Sequence, residues 1–157
     1  MSTLDLLADR LAVGDTLNRL AWSQDRRDWD RVADILADWL DVGHGPADQA
    51  GTAKVSRADL IRTWRDGLDG TSSQHVLTGI VVNVEGDTAD ATFNELVWVM
   101  RPAETGSSMY HFGAAMQYRL HRADPWRVVS LRMDKIWSEG DAAVLGDRSS
   151  PSSRLPK

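Results

Sequence analysis

The stretch Ser23-Gln-Asp-Arg-Arg-Asp-Trp-Asp30 ends one amphipathic segment of the chain and begins another. A second short stretch, Ser73-Gln-His75, opens a run with the alternation of a β-strand. Together they bring one carboxylate, Asp25, and one imidazole, His75, to places where a helix end can meet the wall of a sheet. An Asp–His pair beside a closed apolar cavity can act as a general acid–base device without a metal or a cofactor.

Three helices are predicted in the N-terminal half of the chain. Leucines at three- and four-residue spacings make one apolar stripe over residues 3–24, with Ser2 or Thr3 as the N-cap. Asp28 caps a second helix, whose buried face would hold Trp29, Val32, Ala33, Leu36 and Trp39 unless a short strand begins near residue 39. Three glycines and a proline within residues 43–54 predict a loop. Ser56 then caps a third helix over residues 57–68.

From His75 onward the apolar pattern changes to period two. Four strands are predicted over residues 75–85, 88–101, 108–122 and 126–137, with tight turns at Glu85-Gly86-Asp87 and Ala123-Asp124-Pro125. Four consecutive strands joined in this way form a curved antiparallel meander whose inner face needs a cover. The sequence therefore predicts an α+β fold, in which a cone-shaped antiparallel sheet is covered by three N-terminal helices. We expect one domain over residues 1–140 and a disordered tail over residues 141–157.

Composition excludes several classes of function. The 157 residues suffice for one domain, and 42% hydrophobic content with 26% charged content predicts a globular protein. Net charge is −5 with dispersed basic residues, which argues against a nucleic-acid partner. The absence of cysteine excludes disulfides and thiolate chemistry. No apolar run is long enough to span a membrane, and the N-terminus lacks the basic region of a signal peptide, so we expect a cytoplasmic location.

The Asp25–His75 pair has a catalytic and a structural interpretation. In the first, Asp25 accepts a hydrogen bond from one imidazole nitrogen and raises the basicity of the other. His75 can then abstract a proton next to a carbonyl and return it to a leaving hydroxyl or to another carbon. In the second, the pair only fastens the helix junction to the sheet, or Asp25 is merely a turn residue.

Polar side chains on the predicted strands are further candidates. By parity Tyr110 faces the cavity, although a bulge near Gly113 would reverse it. Either Asn94 or Glu95 must point inward, and the two faces of that strand are too similar in apolar content to decide which. His44 lies in a glycine-rich loop that could cover the cavity, although a solvated loop histidine is the favoured interpretation. No metal site is predicted, since the four histidines show no ligand spacing.

The order of helices and strands resembles the SnoaL-like branch of the nuclear transport factor-like superfamily. The resemblance covers residues 4–140 and rests on Asp25-Arg26-Arg27-Asp28-Trp29-Asp30, Ser56-Arg57, Trp64-Arg65, Gln74-His75, Gly79, Gly86-Asp87 and Trp126-Arg127. It implies the cystatin-like α+β barrel of that branch. Its dehydratases use an aspartate at the helix junction and a histidine at the start of the first long strand, and these match Asp25 and His75.

Other positions depart from scytalone dehydratase. Gln24 stands where that enzyme has a tyrosine, Trp98 or Val99 where it has a second histidine, and Gly113 and Ala115 where it has serine and asparagine. The resemblance therefore implies the same dyad acting on a different substrate.

The sequence and the resemblance together predict a cofactor-independent lyase or isomerase, either a dehydratase or a cyclase, acting on an apolar polyketide- or steroid-like substrate. Asp25 and His75 would be catalytic, and the substrate-binding candidates are Tyr110, Asn94, Trp22, Trp64, Trp98 and Phe112. A homodimer through the outer sheet face is expected. The alternatives are a non-catalytic ligand-binding or assembly subunit, and an epoxide hydrolase or cyclase that activates water.

Overall fold

The computed structural model describes residues 2–103 and 106–146. Three helices, six strands and one short 3₁₀ turn follow in chain order: α1 (Thr3–Arg26), α2 (Trp29–Ile35), β1 (Leu36–His44), β2 (Thr52–Ser56), α3 (Arg57–Leu68), β3 (Ser72–Glu85), β4 (Thr88–Pro102), β5 (Ser107–His121), β6 (Arg127–Gly140) and the turn Ala142–Val144. The predicted helices and the four long strands are confirmed within a few residues at each end.

The junction between α1 and α2 has well-defined local causes. Arg27 ends α1 in the left-handed conformation at φ 59°, and its backbone N–H bonds back to α1. The Asp28 side chain then accepts the Arg31 backbone N–H and starts α2. This sharp reversal leaves Asp25 in the last turn of α1, directed at the start of β3.

The sheet has six strands in the order β2-β1-β6-β5-β4-β3 and does not close. All neighbours pair antiparallel except β1 and β6, which run parallel. The predicted α+β fold is confirmed, with β3–β6 as the expected antiparallel meander, and the additional parallel pair of β1 and β6 makes the whole sheet mixed. Strand β1 precedes the meander in the chain and runs in the same direction as the last strand of the meander, β6, beside which it lies.

The expectations about residues 36–54 are met in part. Helix α2 ends at Ile35, so Leu36 and Trp39 are not on its buried face; the short strand expected near residues 39–42 is present as β1, which starts at Leu36, and Trp39 is 58% exposed on it. The predicted loop contains the end of β1 and the start of β2. The Arg132 side chain of β6 donates to carbonyls at the end of β1 and in the connection to β2, those of His44, Gly45, Ala50 and Gly51.

The core lies between the helices and the concave face of the sheet, as predicted. Helix α1 buries Val13, Leu17 and Leu20 against it, and α3 buries Leu60 and Ile61. Along β4, buried residues alternate with more exposed ones, so Phe93, Glu95, Val97 and Val99 face inward. Asn94 is exposed on the opposite face. None of the helices in the described residues is long and apolar enough to cross a membrane.

The structure describes the first six residues, 141–146, of the segment that the sequence predicts to be a disordered tail, and they include the 3₁₀ turn. Asp141 caps the 3₁₀ turn, and Val144 is 1% exposed. The Arg101 guanidinium donates twice to the Val144 carbonyl, at 3.1 and 2.9 Å, and the Gly146 N–H donates to the Gly67 carbonyl at 3.2 Å. The chain thus packs against α3 and β4 after β6 ends. The rest of the predicted tail, from residue 147, lies outside the described residues.

Candidate active site

A cavity of about 370 Å³ lies between α3 and the concave sheet. Its wall is mostly apolar, formed by Val42, Leu60, Trp64, Leu68, Val97, Val99, Phe112, Met116, Leu131, Met133 and Leu145. Few polar side chains interrupt this wall, and they are Gln24, His44, Thr63, His75, Glu95 and Tyr118. An apolar pocket with a few convergent polar groups is the usual form of a small-molecule site.

Asp25 and His75 are in direct contact at the edge of this cavity. The imidazole Nδ1 lies 2.6 Å from Asp25 Oδ1, and the His75 backbone N–H donates to Oδ2 at 2.8 Å. The Asp25 side chain is only 15% exposed and the His75 side chain only 9%. Because a carboxylate only accepts hydrogen bonds, these partners assign the hydrogen of neutral His75 to Nδ1 and the lone pair to Nε2. No hydrogen bond to Nε2 is found within residues 2–103 and 106–146.

Ser73 and Arg27 hold the Asp25 carboxylate in place. The Ser73 hydroxyl donates to Asp25 Oδ1 at 2.9 Å, and the Arg27 guanidinium donates to the Ser73 oxygen at 2.8 Å. Arg27 also donates to the carbonyls of Gln24, Leu68 and Thr71. The helix junction, the end of α3 and the start of β3 therefore meet at one guanidinium group.

The hydrogen bonds decide the charge of Asp25. Partial burial opposes ionisation of the carboxyl, but the bonds from the His75 ring, the His75 backbone and Ser73 outweigh it and hold the pKa of Asp25 below its ordinary value. Asp25 is thus a carboxylate at neutral pH. A carboxylate in this position orients the imidazole and stabilises the imidazolium that forms when Nε2 takes a proton.

Asp25 and His75 also border an outer groove of about 450 Å³ between α1 and β3. Trp22 lines this groove and is 60% exposed, with the Arg26 guanidinium 4.4 Å from its ring centre. The prediction of Trp22 as a wall of the inner cavity is therefore corrected. Trp22 lies about one helical turn before Asp25, on the side of α1 that lines the outer groove.

Of the other predicted binding residues, only Trp64 and Phe112 line the inner cavity. Asn94 points away from it, on the outer face. Trp98 is also on the outer face, with its ring centre 6.3 Å from that of His111. Tyr110 faces inward, as parity predicted, but lies beyond the cavity in a second apolar cluster, where Lys135 donates to its hydroxyl at 3.2 Å.

Three polar residues line the inner cavity that the sequence analysis did not assign to its wall, namely Glu95, Tyr118 and His44. Glu95 is 9% exposed and lines the cavity, which decides the choice between Asn94 and Glu95. Tyr118 lies on the inner face of β5, as its parity with Phe112 and Met116 indicated. His44 was predicted in a solvated loop, but it ends β1 beside Met133 and lines the same cavity. The short strand expected near residue 39 extends to His44 by pairing with β6, and this parallel partner is too distant in sequence to be read from a local pattern.

The described residues contain no group of three or more His, Cys, Asp or Glu side chains that could hold a metal ion. The polar groups of the cavity are instead spread over different strands. Among these groups, the His75 imidazole and the Glu95 carboxyl can exchange protons, and the other polar side chains can form hydrogen bonds.

Comparison with solved structures identifies proteins of the same fold. A candidate dehydratase of the NTF2-like family from Streptomyces avermitilis is 18% identical, with a TM-score of 0.70 over 83% of this chain and 98% of that one. The hexachlorocyclohexane dehydrochlorinase LinA-type3 from Novosphingobium barchaimii is 22% identical, with a TM-score of 0.67 over 90% and 96%. An NTF2-like protein with a cystatin-like fold from Novosphingobium aromaticivorans is 27% identical, with a TM-score of 0.62 over 90% and 89%.

A sequence search of curated proteins finds no match. The family model of the SnoaL-like domain matches residues 5–132, which is most of the chain and includes both Asp25 and His75. The chain therefore belongs to the SnoaL-like domain family.

Proposed function

We propose that this protein is a cofactor-independent lyase or isomerase in which His75 is the general base and Asp25 orients it. The observation that carries the proposal is the 2.6 Å contact between His75 Nδ1 and Asp25 Oδ1 at the border of an apolar cavity. That contact leaves Nε2 as the ring nitrogen with a lone pair for a bound molecule. The dehydrochlorinase and the candidate dehydratase of the same fold add support for elimination chemistry.

The proposed reaction begins with proton abstraction next to a carbonyl. His75 Nε2 takes the proton, and the imidazolium formed is stabilised by the ionised Asp25. The electron pair of the C–H bond then forms a carbon–carbon double bond as a group on the neighbouring carbon leaves, or the proton returns to another carbon in an isomerisation. General base catalysis of this kind contributes about 10²- to 10⁴-fold in rate.

The cavity wall supports an apolar ring substrate. Trp64, Phe112 and Met116 present flat or flexible apolar surface, and the volume of about 370 Å³ lies within the usual range for small-molecule pockets. A polyketide- or steroid-like ring with one or two oxygens fits the balance of apolar and polar wall.

The experiment is a turnover assay on a panel of hydroxy ketones, including the β-hydroxy precursor of benzalacetone, whose product is followed by ultraviolet absorbance. We expect His75→Ala and Asp25→Asn each to lower kcat at least tenfold more than the control His121→Ala. His121 is an exposed histidine at the end of β5. Equal rates for His75→Ala and His121→Ala on a substrate that the wild type converts would overturn the proposal.

Water activation for epoxide opening is the second candidate, because Glu95 supplies a carboxyl inside the cavity. That role needs an ionised carboxylate as base. Burial instead raises the pKa of Glu95, which favours the acid form. Elimination or isomerisation by the Asp25–His75 pair is therefore the better-supported function.

We also propose a homodimer through the outer sheet face. Val76, Leu96, Trp98, Met100, Met109 and Trp137 share this face and are partly or largely exposed. Adjacent strands carry these residues side by side, since Val76 pairs with Leu96 and Met100 pairs with Met109. A contiguous apolar patch of this kind is typical of a protein–protein contact.

A further inference from the structure

We propose that Glu95 is the acid of this site, that it protonates the group that leaves, and that the leaving group is a hydroxyl. The reaction would then be loss of water from a β-hydroxy carbonyl compound rather than loss of a halide. This inference rests on the proposed role of His75 as the base. It assigns the other half of the proton transfer to a second side chain of the same cavity.

The sheet register places Glu95 one diagonal step from His75. His75 pairs with Val97 and Leu77 pairs with Glu95, so all four side chains share the inner face of β3 and β4. Diagonal neighbours of this kind lie about 7 Å apart at their β-carbons. Both residues line the same cavity. A substrate can therefore present a C–H bond to His75 and a C–O bond on the next carbon to Glu95.

The surroundings of Glu95 favour its neutral acid form. The side chain is 9% exposed, and no hydrogen bond or ion pair to its carboxyl is found in the part of the chain that the structure describes. Burial raises its pKa, and the nearby Asp25 carboxylate acts in the same direction, while a protonated His75 would act in the opposite one. Tyr118 and His44 are the other titratable groups of the cavity wall.

A carboxyl group without a partner among the described residues is available to a ligand. Leaving a buried polar group unpaired costs about 1–3 kcal/mol, and the cost is relieved when a bound molecule supplies the missing hydrogen bond. A neutral carboxylic acid donates one hydrogen. The cavity therefore selects a substrate that places an oxygen acceptor at Glu95.

Loss of water requires one proton transfer to His75 and one proton transfer from Glu95. His75 Nε2 takes the proton from the carbon next to the carbonyl, and the C–H electron pair becomes the new carbon–carbon double bond. The C–O bond of the neighbouring carbon breaks with its electron pair on oxygen. Glu95 gives its proton to that oxygen, and water leaves. The imidazolium of His75 and the carboxylate of Glu95 then return to their starting forms by proton transfer through solvent.

The need for an acid separates the two classes of leaving group. Hydroxide is a poor leaving group and departs readily only when it is protonated to water. Chloride leaves as a stable anion and gains little from a proton donor. A buried acid placed one step from the base is thus of use for dehydration and of little use for loss of chloride.

The test compares two substrates that give one product. The β-hydroxy and β-chloro precursors of benzalacetone are supplied to wild type, Glu95→Gln and the control Asn94→Ala, with the spontaneous rate subtracted. Asn94 is the neighbouring residue on the exposed face of the same strand. We expect Glu95→Gln to lose at least 100-fold in kcat on the hydroxy ketone and less than tenfold on the chloro ketone. Asn94→Ala should resemble wild type on both.

The kinetic results separate the role of Glu95 from that of His75. Equal losses on both substrates, or no loss on the hydroxy ketone, would overturn the role of Glu95 while the proposed function of His75 stands. If wild type converts neither ketone while Glu95 is intact, the proposed function fails for this class of substrate and the inference about Glu95 falls with it.

A stability measurement guards against misfolding and needs no substrate. Glu95→Gln and wild type are unfolded with urea between pH 5 and pH 9. Because the pKa of Glu95 is raised in the folded state, wild type should lose stability relative to Glu95→Gln as pH rises above the ordinary range of a glutamic acid. The urea midpoints should therefore diverge with pH. A difference between the midpoints that does not change with pH would contradict a neutral Glu95.

Discussion

The Asp25 carboxylate accepts three hydrogen bonds, from the His75 ring, the His75 backbone and the Ser73 hydroxyl. This number matters for chemistry because a carboxylate bonded in this way stays ionised in a partly buried place. It also matters for stability, since the same bonds join α1 to β3. The proposed orientation of His75 and the stability of the contact between α1 and β3 therefore depend on one side chain.

The stability contributed by Asp25 should depend on pH in the acid range. Its pKa is lowered in the folded state, so its contribution is fully present above the unfolded value of about 3.9 and is lost as pH falls through the folded pKa. At pH 6 we expect Asp25→Asn to lower the free energy of unfolding by about 2 kcal/mol, a usual value for hydrogen bonds to a charged group. Urea unfolding of both proteins at pH 6 and pH 3 checks this. A difference as large at pH 3 as at pH 6 would contradict it.

Single residues of the site were predictable from sequence only in part. Asp25 and His75 could be named through the family resemblance, because their positions follow a helix junction and a strand start. Asn94 and Glu95 could not be separated, since Leu96, Trp98 and Met100 make the outer face of β4 nearly as apolar as the inner one. A partly exposed apolar outer face removes the contrast on which strand parity depends.

The elements around the site are joined by Arg27. Its guanidinium bonds to the carbonyls of Gln24, Leu68 and Thr71, which belong to the end of α1, the end of α3 and the connection before β3. The residue adopts φ 59°, a conformation that few residues other than glycine adopt. The side-chain hydrogen bonds stabilise this arrangement against the backbone preference.

Removing the guanidinium should loosen the junction. We expect Arg27→Ala to lower the free energy of unfolding by about 2 kcal/mol, because partly buried carbonyls lose their donors. The neighbouring Arg26→Ala is the matched control and should cost at most about 1 kcal/mol, since Arg26 is exposed and its guanidinium lies over the Trp22 ring. Urea unfolding measures both, and equal effects would show that the carbonyl contacts of Arg27 carry no weight.

Elements with strong local signals were predicted well, and those defined by distant partners were not. The four long strands alternate over many residues and are joined by short turns, so their existence and order follow from the sequence alone. Strand β1 pairs in parallel with β6, which is more than half of the chain away in sequence. No local pattern encodes that pairing. The position of His44 in the cavity wall depends on it and could therefore not be predicted either.

At the scale of the whole molecule, the described residues leave large apolar side chains exposed on the outer face of the sheet. Trp137 is 44% exposed and lies over Gly113, where any β-carbon would overlap the indole ring. His111 also contacts Trp137, at 5.4 Å between ring centres. An ordered aromatic surface of this kind suits a contact with a second copy of the chain.

The proposed dimer predicts a change of mass on substitution. Wild type should be dimeric at micromolar concentration, and Trp137→Asp should be monomeric because it places a charge within the apolar patch. Trp39→Asp, at a comparably exposed tryptophan on β1, should leave the dimer intact. Size-exclusion chromatography with light scattering measures the three masses. A monomeric wild type would contradict the dimer.

In the proposed function, His75 takes a proton from a carbon atom of the substrate while Asp25 orients the imidazole. The most direct measurement is deuterium incorporation from D₂O into benzylacetone, a ketone with no leaving group, followed by NMR. We predict that wild type speeds exchange next to the carbonyl and that His75→Ala loses at least 100-fold of this acceleration, within the usual range for general base catalysis. His121→Ala should retain it. Exchange by His75→Ala at the wild-type rate would contradict the account.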